Sequence, residues 1–215
     1  MTTPPARTAD ELLAHYEPEC RQELVRGSLV RYPFATMPEA FVATKLLLRL
    51  LDYSEHCELG QPFPSGTGFL LARDPDTVCA ADVSFVRKER MPRLDDGFFP
   101  GPPDLAVEVT SPDQSYTAVL DKTLCWLDHG TPLVWVIDPI ARRVTTYRSR
   151  DDIRMLGMDD ALTVGNVAPG FAVRVRELFP EEQLSPARSH TMFLEPAWVE
   201  TVSVDGQTVW PASPA

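Results

Sequence analysis

Residues 103–138, PDLAVEVTSPDQSYTAVLDKTLCWLDHGTPLVWVID, decide the fold. In the opening heptad, Leu105, Val107 and Val109 alternate with Asp104, Ala106 and Glu108, which predicts a strand with one oily face. Thr110-Ser111-Pro112-Asp113 ends it, because Pro offers no donor and Ser and Asp bond locally to backbone. A helix follows from a cap at Asp113 or Ser115. Helical spacing puts Tyr116, Val119, Leu120, Thr123, Leu124 and Leu127 on one face, and Gly130 closes the helix as a left-handed cap. Leu133 to Ile137 is an unbroken apolar run, the signature of a strand buried on both sides. The whole is a βαβ unit.

Two charges in this unit stand out. Glu108 lies in mid-strand among apolar residues, where an unpaired carboxylate is costly. Lys122 falls at the rim of the helix's apolar face. An acid buried on a strand beside a cation from the next helix marks a candidate site; the plainer account is a structural ion pair or a half-wet sheet face.

Moving outward, RQELVRGSLVRY (21–32) reads as a hairpin turning at Arg26-Gly27. Glu23 at its entry reads as surface charge when taken alone. Pro38 opens a long helix through EAFVATKLLLRLLDYSEH, with Val42, Leu46 and Leu50 at helical spacing and Leu47, Leu48 and Leu51 widening the face into a buried helix. Glu39 sits in its first turn, where the helix dipole favours an acid. Residues 60–72 resemble a loop entering a short strand, and VCAADVSFV (78–86) reads as one strand carrying Asp82, a second acid among apolar neighbours. Residues 88–103, charged and then rich in Gly and Pro, predict a mobile loop suited to contacting substrate. Beyond the central unit, RRVTTYRS forms a hairpin with LVWVID, and shorter strand signals occur at 162–164 and 171–175. Asp10 is expected to cap a short helix near the start.

The chain has 215 residues, 44% of them hydrophobic and 24% charged, an ordinary balance for a globular protein. The expected organisation is a disordered lead over 1–10, a main domain over 11–184, and an accessory tail over 185–215 with a hairpin signal in VSVDGQTV between Trp198 and Trp210. The four cysteines, Cys20, Cys57, Cys79 and Cys125, are scattered without a CxxC pair, which argues against disulfides or zinc and for a cytoplasmic setting. No apolar run is long enough for a membrane span, and MTTPPARTADELLAHY shows no apolar h-region, so a secretory leader is not expected. A net charge of −11 excludes a protein that coats nucleic acid by bulk electrostatics. It leaves room for a local basic rim, for which Arg87, Lys88, Arg90 and Arg93, and Arg142, Arg143, Arg148 and Arg150, are the candidates.

Taken together, ELVRGSL, ADVSFV, PPDLAVEVTSP, the helix with its Asp-Lys pair, HGTPLVWVIDP and RRVTTYR resemble the Uma-two family, described as putative restriction endonucleases of the PD-(D/E)xK nuclease superfamily. The resemblance covers roughly Glu11 to Phe179. It implies an α/β restriction-endonuclease-like fold, a mixed central sheet flanked by helices with the acidic site at strand ends. Asp82 matches the family's PD aspartate, with Ala81 in place of Pro. Glu108 matches the glutamate of its ExV strand, and Lys122 matches a lysine on the following helix, Thr110 standing where other superfamily members carry theirs. Glu23 matches the acid opening the N-terminal hairpin. Other positions depart: Arg26-Gly27-Ser28 replaces Asp-Gly-Glu, Glu39 replaces a His, and Ala118 replaces an acid one turn before the lysine.

On this reading Asp82, Glu108 and Lys122 are the catalytic trio. Asp82 and Glu108, with the Val109 carbonyl, supply the oxygen ligands that Mg²⁺ or Mn²⁺ prefers, and Lys122 positions the attacking water or steadies charge on the scissile phosphate. Glu23 and Glu39 are candidate accessory acids. Asp104 lies about 13 Å along the strand from Glu108, too far to share an ion, so it reads as structural or as part of the substrate rim. Three functions compete. One is metal-dependent hydrolysis of DNA, with a homodimer as a candidate assembly. The second is a catalytically inactive nuclease-fold module that binds nucleic acid or a protein partner. The third is a metal-dependent hydrolase acting on a small phosphoester.

Overall fold

The computed structural model describes residues 8–15, 20–93, 96–112 and 114–180, together with the backbone of 202–204 and 207–209. The chain divides into two units, 1–180 and 181–215. In the second, Val202–Val204 pairs antiparallel with Gln207–Val209, so the expected tail hairpin forms; Trp198 and Trp210 lie outside the described residues.

In the first unit the central βαβ reading holds: strand β8 (Leu105–Val109), helix α3 (Tyr116–Asp128) and strand β9 (Val134–Asp138) follow in order, and β8 and β9 pair in parallel. Ser115 caps α3 by accepting the Ala118 N–H at 3.1 Å, which relieves one of the helix's unpaired first-turn donors; Asp113 lies outside the described residues. Gly130 takes φ +97, a conformation that costs glycine little.

Around that unit lies a six-stranded mixed sheet. Its strands are β3 (Gly60–Pro64), β6 (Val83–Arg87), β8, β9, β10 (Arg143–Tyr147) and β11 (Ile153–Leu156), in the order β11-β10-β9-β8-β6-β3. A five-stranded sheet runs β2-β1-β5-β4-β7, built from β1 (Arg21–Val25), β2 (Ser28–Tyr32), β4 (Phe69–Ala72), β5 (Thr77–Cys79) and β7 (Phe99–Pro100). The hairpin of β1 and β2 turns at Arg26 and Gly27, both with positive φ, the backbone that a two-residue turn between right-twisted strands requires. A small pair, Ala161–Thr163 with Ala172–Arg174, completes the pairing.

Alternation along the strands sorts the core in two. Leu105, Val107 and Val109 of β8 join Val83, Phe85, Trp135 and Ile137 on the face covered by helix α2 (Met37–Cys57) through Val42, Leu46 and Leu50. Ala106, Val134 and Val86 face the other way, onto Trp126 of α3 and Phe69 and Cys79 of the five-stranded sheet. Leu133 to Ile137 is thus sandwiched, as an unbroken apolar run demands.

Several expectations need correction. VCAADVSFV is two strands: the chain leaves β5 at Cys79, crosses through Ala80 to Asp82, and enters β6 in the other sheet. A local period of two cannot register that change of sheet. Residues 60–72 form two strands, β3 and β4, rather than a loop and one strand. Within 88–103, Lys88–Arg90 forms a 3₁₀ turn and β7 pairs in parallel with β4, so much of that stretch is tied into structure. Helix α2 buries a narrow stripe, and Leu48 is 58% exposed. The short first helix, α1 (Ala9–Ala14), is capped by Thr8, which bonds reciprocally with Glu11. Asp10 instead pairs with Arg73. Finally, α3 buries Thr123 and Trp126, while Tyr116 is 77% exposed. The helix is rotated so that Lys122 and Trp126, rather than Leu120 and Leu124, approach the sheet.

Candidate active site

Where β6 begins and β8 ends, two acids come side by side. The β6–β8 pairing runs Val83 opposite Val107, and continuing it by one residue sets Asp82 opposite Glu108. Backbone bonds tie the two strands there: the Asp82 N–H donates to the Val107 carbonyl at 2.9 Å, and the Val109 N–H donates to Asp82 Oδ2 at 2.8 Å. The Glu108 side chain projects away from the α2 side of the sheet, because Val107 and Val109 on either side of it pack toward α2, whereas Asp82, just before β6, lines a cavity together with residues of α2.

Lys122 arrives from α3. Its ammonium lies 2.9 Å from Glu108 Oε2, donates to the Ala80 carbonyl at 2.9 Å, and stands 3.0 Å from Glu23 Oε1. One turn further along α3, Trp126 donates its indole N–H to the other Glu108 oxygen at 2.7 Å. Glu108 is therefore gripped by two α3 side chains at helical spacing, i and i+4, which lie one above the other on a helix face.

The first hairpin closes the site from the opposite side. Arg21 Nη1 contacts Asp82 Oδ1 at 2.7 Å, and Arg21 Nε lies 3.5 Å from Glu23 Oε1. Tyr32, paired across the hairpin with Arg21, offers its ring to both cations, with Arg21 Cζ at 4.7 Å and Lys122 Nζ at 4.9 Å from the centroid. The result is a chain of alternating charge: Asp82, Arg21, Glu23, Lys122, Glu108. Three acids face two cations.

Glu23 is a correction: it is 1% exposed rather than surface charge. Its Oε2 has no hydrogen-bond partner among the described residues, a costly state for a buried carboxylate oxygen. Burial pushes the Glu108 carboxyl up to about 7, with Asp82 and Glu23 adding to the rise and Lys122 opposing it. The Lys122 ammonium is held well above its ordinary value, the acids Glu108 and Glu23 outweighing the effect of burial.

Asp82 and Val109, with Arg21, Tyr32, Ser65 and Gln114, line a cavity of about 410 Å³. Glu39 also reaches its wall, but its carboxylate accepts the Thr36 N–H at the start of α2, the capping role its position predicts. Among the described residues, no three His, Cys, Asp or Glu side chains stand close enough together to hold a metal ion by themselves.

Asp104 is structural. Its 2% exposed side chain accepts from the Arg87 backbone N–H and guanidinium, at 2.9 and 3.0 Å, and pairs with Arg90 at 3.0 Å. Half of the expected basic rim is engaged in ion pairs, Arg87 and Arg90 on Asp104, Lys88 on Glu58 and Arg150 on Asp128.

Arg21, Tyr32 and Trp126 escaped the sequence reading, although Arg21 and Trp126 left a signal. Arg21 shares a strand face with Glu23 by the period of two, and Trp126 lies one turn from Lys122.

A mixed sheet with adjacent acids at its strand ends and a lysine delivered by the crossover helix defines a restriction-endonuclease-like protein. The family model for Uma2, described as "Putative restriction endonuclease", matches residues 9–176, and the chain belongs to that family. Among solved structures it is similar to a "putative nuclease belonging to DUF820" from Anabaena variabilis ATCC 29413, with TM-score 0.69 and 24% identity over 80% of this chain and 96% of that one. At that identity the likeness is one of fold. No curated protein matches the chain.

Proposed function

We propose that the chain is a metal-dependent DNA endonuclease in which Asp82 and Glu108 hold a Mg²⁺ or Mn²⁺ ion and Lys122 is the catalytic cation. The observation that carries this reading is the ammonium of Lys122, held 2.9 Å from Glu108 at the sheet end that Asp82 shares.

The donor set suits a hard divalent cation, since every candidate ligand is oxygen. Three acids against two cations leave one negative charge uncompensated, and the buried, unpartnered Glu23 Oε2 marks where compensation is lacking. A bound divalent cation would acidify a water and offset charge on the scissile phosphate. The chain's own residues supply the rest. Arg21 must release Asp82 Oδ1 to free that oxygen, and its fork is then available to a phosphate, which it can grip through two parallel bonds. Glu108 acts as an anion above its raised pKa. Lys122 remains charged throughout the neutral range and is aimed by two acceptors, Ala80 and Glu108, with Glu23 as a further ion-pair partner. The Val109 carbonyl is the candidate backbone ligand, and Glu23 the accessory acid. Cutting both strands calls for two such sites, for which a homodimer is the proposed source.

A second reading, a nuclease-fold module that binds without cutting, draws on one observation: all four carboxylate oxygens of Asp82 and Glu108 already have protein donors, in Arg21, Val109, Lys122 and Trp126. Nicking of supercoiled DNA in Mg²⁺ or Mn²⁺ separates the two. Metal-dependent nicking lost in Asp82→Ala and Glu108→Ala is expected. Salt-sensitive DNA binding without metal and without cleavage selects the second reading.

A further inference from the structure

Two of the four cysteines, distant in sequence, meet behind the site. Cys79 ends β5 and Cys125 lies on α3, and their sulfurs are 3.8 Å apart. Cys79 is 1% exposed and Cys125 half-buried, whereas Cys57 is exposed and has no such partner among the described cysteines. We propose that Cys79 and Cys125 form a peroxide-sensitive dithiol whose oxidation to a disulfide clamps helix α3 to β5, directly behind the Glu108 and Lys122 pair.

The surroundings favour Cys125 as the sulfur that reacts first. Cys125 has the Cys79 sulfur on one side, and His129 stands beside it, Nδ1 lying 3.7 Å from the sulfur. That nitrogen is also 2.7 Å from the Cys125 carbonyl. A carbonyl only accepts, so Nδ1 carries the hydrogen and presents a donor to the sulfur as well. The contact with Cys79, with His129 adding to it, holds the Cys125 thiol below its usual range, and the thiolate is the attacking species. The same contact and burial hold the Cys79 thiol above its usual range, which suits it to the resolving role.

The chemistry balances with hydrogen peroxide as the two-electron oxidant. The Cys125 thiolate attacks one peroxide oxygen, the O–O bond breaks, and hydroxide takes up a proton to leave as water, giving a sulfenic acid. Cys79 sulfur then attacks the Cys125 sulfur, the S–O bond breaks, and the oxygen leaves as a second water carrying the Cys79 proton. Two thiols lose two electrons and the peroxide gains them. Closing from 3.8 Å to a bond of about 2.05 Å draws α3 toward β5. Both grips on the site are adjacent in sequence to the reacting residues: Ala80, which accepts from Lys122, follows Cys79, and Trp126, which donates to Glu108, follows Cys125.

The test is peptide mapping of the full chain, first reduced, then exposed to hydrogen peroxide, then alkylated and digested without reductant. A disulfide joining the Cys79 and Cys125 peptides is expected to form ahead of any oxidation at Cys57, with the intact protein two hydrogens lighter. In Cys79→Ser, Cys125 should instead be trapped as a sulfenic acid by dimedone, and in Cys125→Ser no crosslink should form. The crosslinked wild type should melt higher than the reduced form, because the closed loop restricts the unfolded chain. Oxidation spread over Cys20 and Cys57, with Cys79 and Cys125 still alkylated, would overturn the proposal, and the wild-type map reads this without any variant.

Discussion

Two buried acids four residues apart, one just before β8 and one within it, have different charge economies. Asp104, immediately before β8, is bound by two guanidinium groups, Arg87 and Arg90, with Arg87 shared with the exposed Glu89. Glu108, within β8, shares a single ammonium with Glu23 and takes its second bond from an uncharged indole. The first acid is matched by cations, two for the pair it forms with Glu89, and those cations reach solvent, Arg87 being 42% exposed and Arg90 30%. The second is short of positive charge in a dry setting. A carboxylate matched by cations is a fastening; one that lacks them is a place where a cation gains free energy on arrival. Both acids are buried within five residues of chain, and only the partners tell them apart.

The contrast breaks most visibly at Lys122. Lys122→Met removes the cation two buried acids share, and breaking such a pair costs about 3–5 kcal/mol. Denaturant unfolding at pH 8 should show that loss, and DNA nicking should fall by about 10²–10³-fold. Glu108→Gln should abolish nicking while keeping or raising stability, since it removes a charge that burial disfavours. If it unfolds the protein instead, Glu108 is a fastening like Asp104. Asp104→Ala is the mirror image: a loss of about 1–3 kcal/mol, discounted because the arginines can turn to water, with nicking by the remaining folded protein within a few-fold of wild type.

The titration of Glu108 sharpens the same comparison. Its folded pKa of about 7 lies above the ordinary 4.5, so between those values the native state binds more protons than the unfolded chain. Stability therefore falls as pH rises through that window. Lys122, raised from 10.5, stays protonated in both states there and adds no slope. Unfolding free energies at pH 5 and pH 8 should show the decline in wild type and a flatter profile in Glu108→Gln. The smallest effect is expected at Glu39→Ala. Loss of a helix cap costs about 1 kcal/mol, and unchanged nicking would leave Glu39 a cap; a large loss of activity would make it part of the site.

The legible portion of the site was whatever local pattern can encode. Asp82 and Glu108 stood out as acids in oily strands, and Lys122 as a cation near an apolar helix face. The leucines of α3 pulled the expected face toward Leu120 and Leu124, because periodicity weighs hydrophobicity and cannot know that Glu108 waits opposite Lys122 and Trp126. Glu23 looked superficial because a hairpin's entry is usually wet, and here the hairpin lies against α3. Asp104 could be excluded from Glu108's ion by strand geometry alone, yet its two arginines come from a strand end and a 3₁₀ turn that sequence spacing does not bring to it.

By itself, the sequence determined the βαβ unit, the two faces of β8, and Glu108 as an acid within it, because the periods of strand and helix are properties of local backbone. Sheet order, the break between β5 and β6, and the rotation of α3 belonged to the tertiary structure. They settled which cation meets which carboxylate, since charges pair through space over a few ångströms while the residues that bear them lie tens of positions apart.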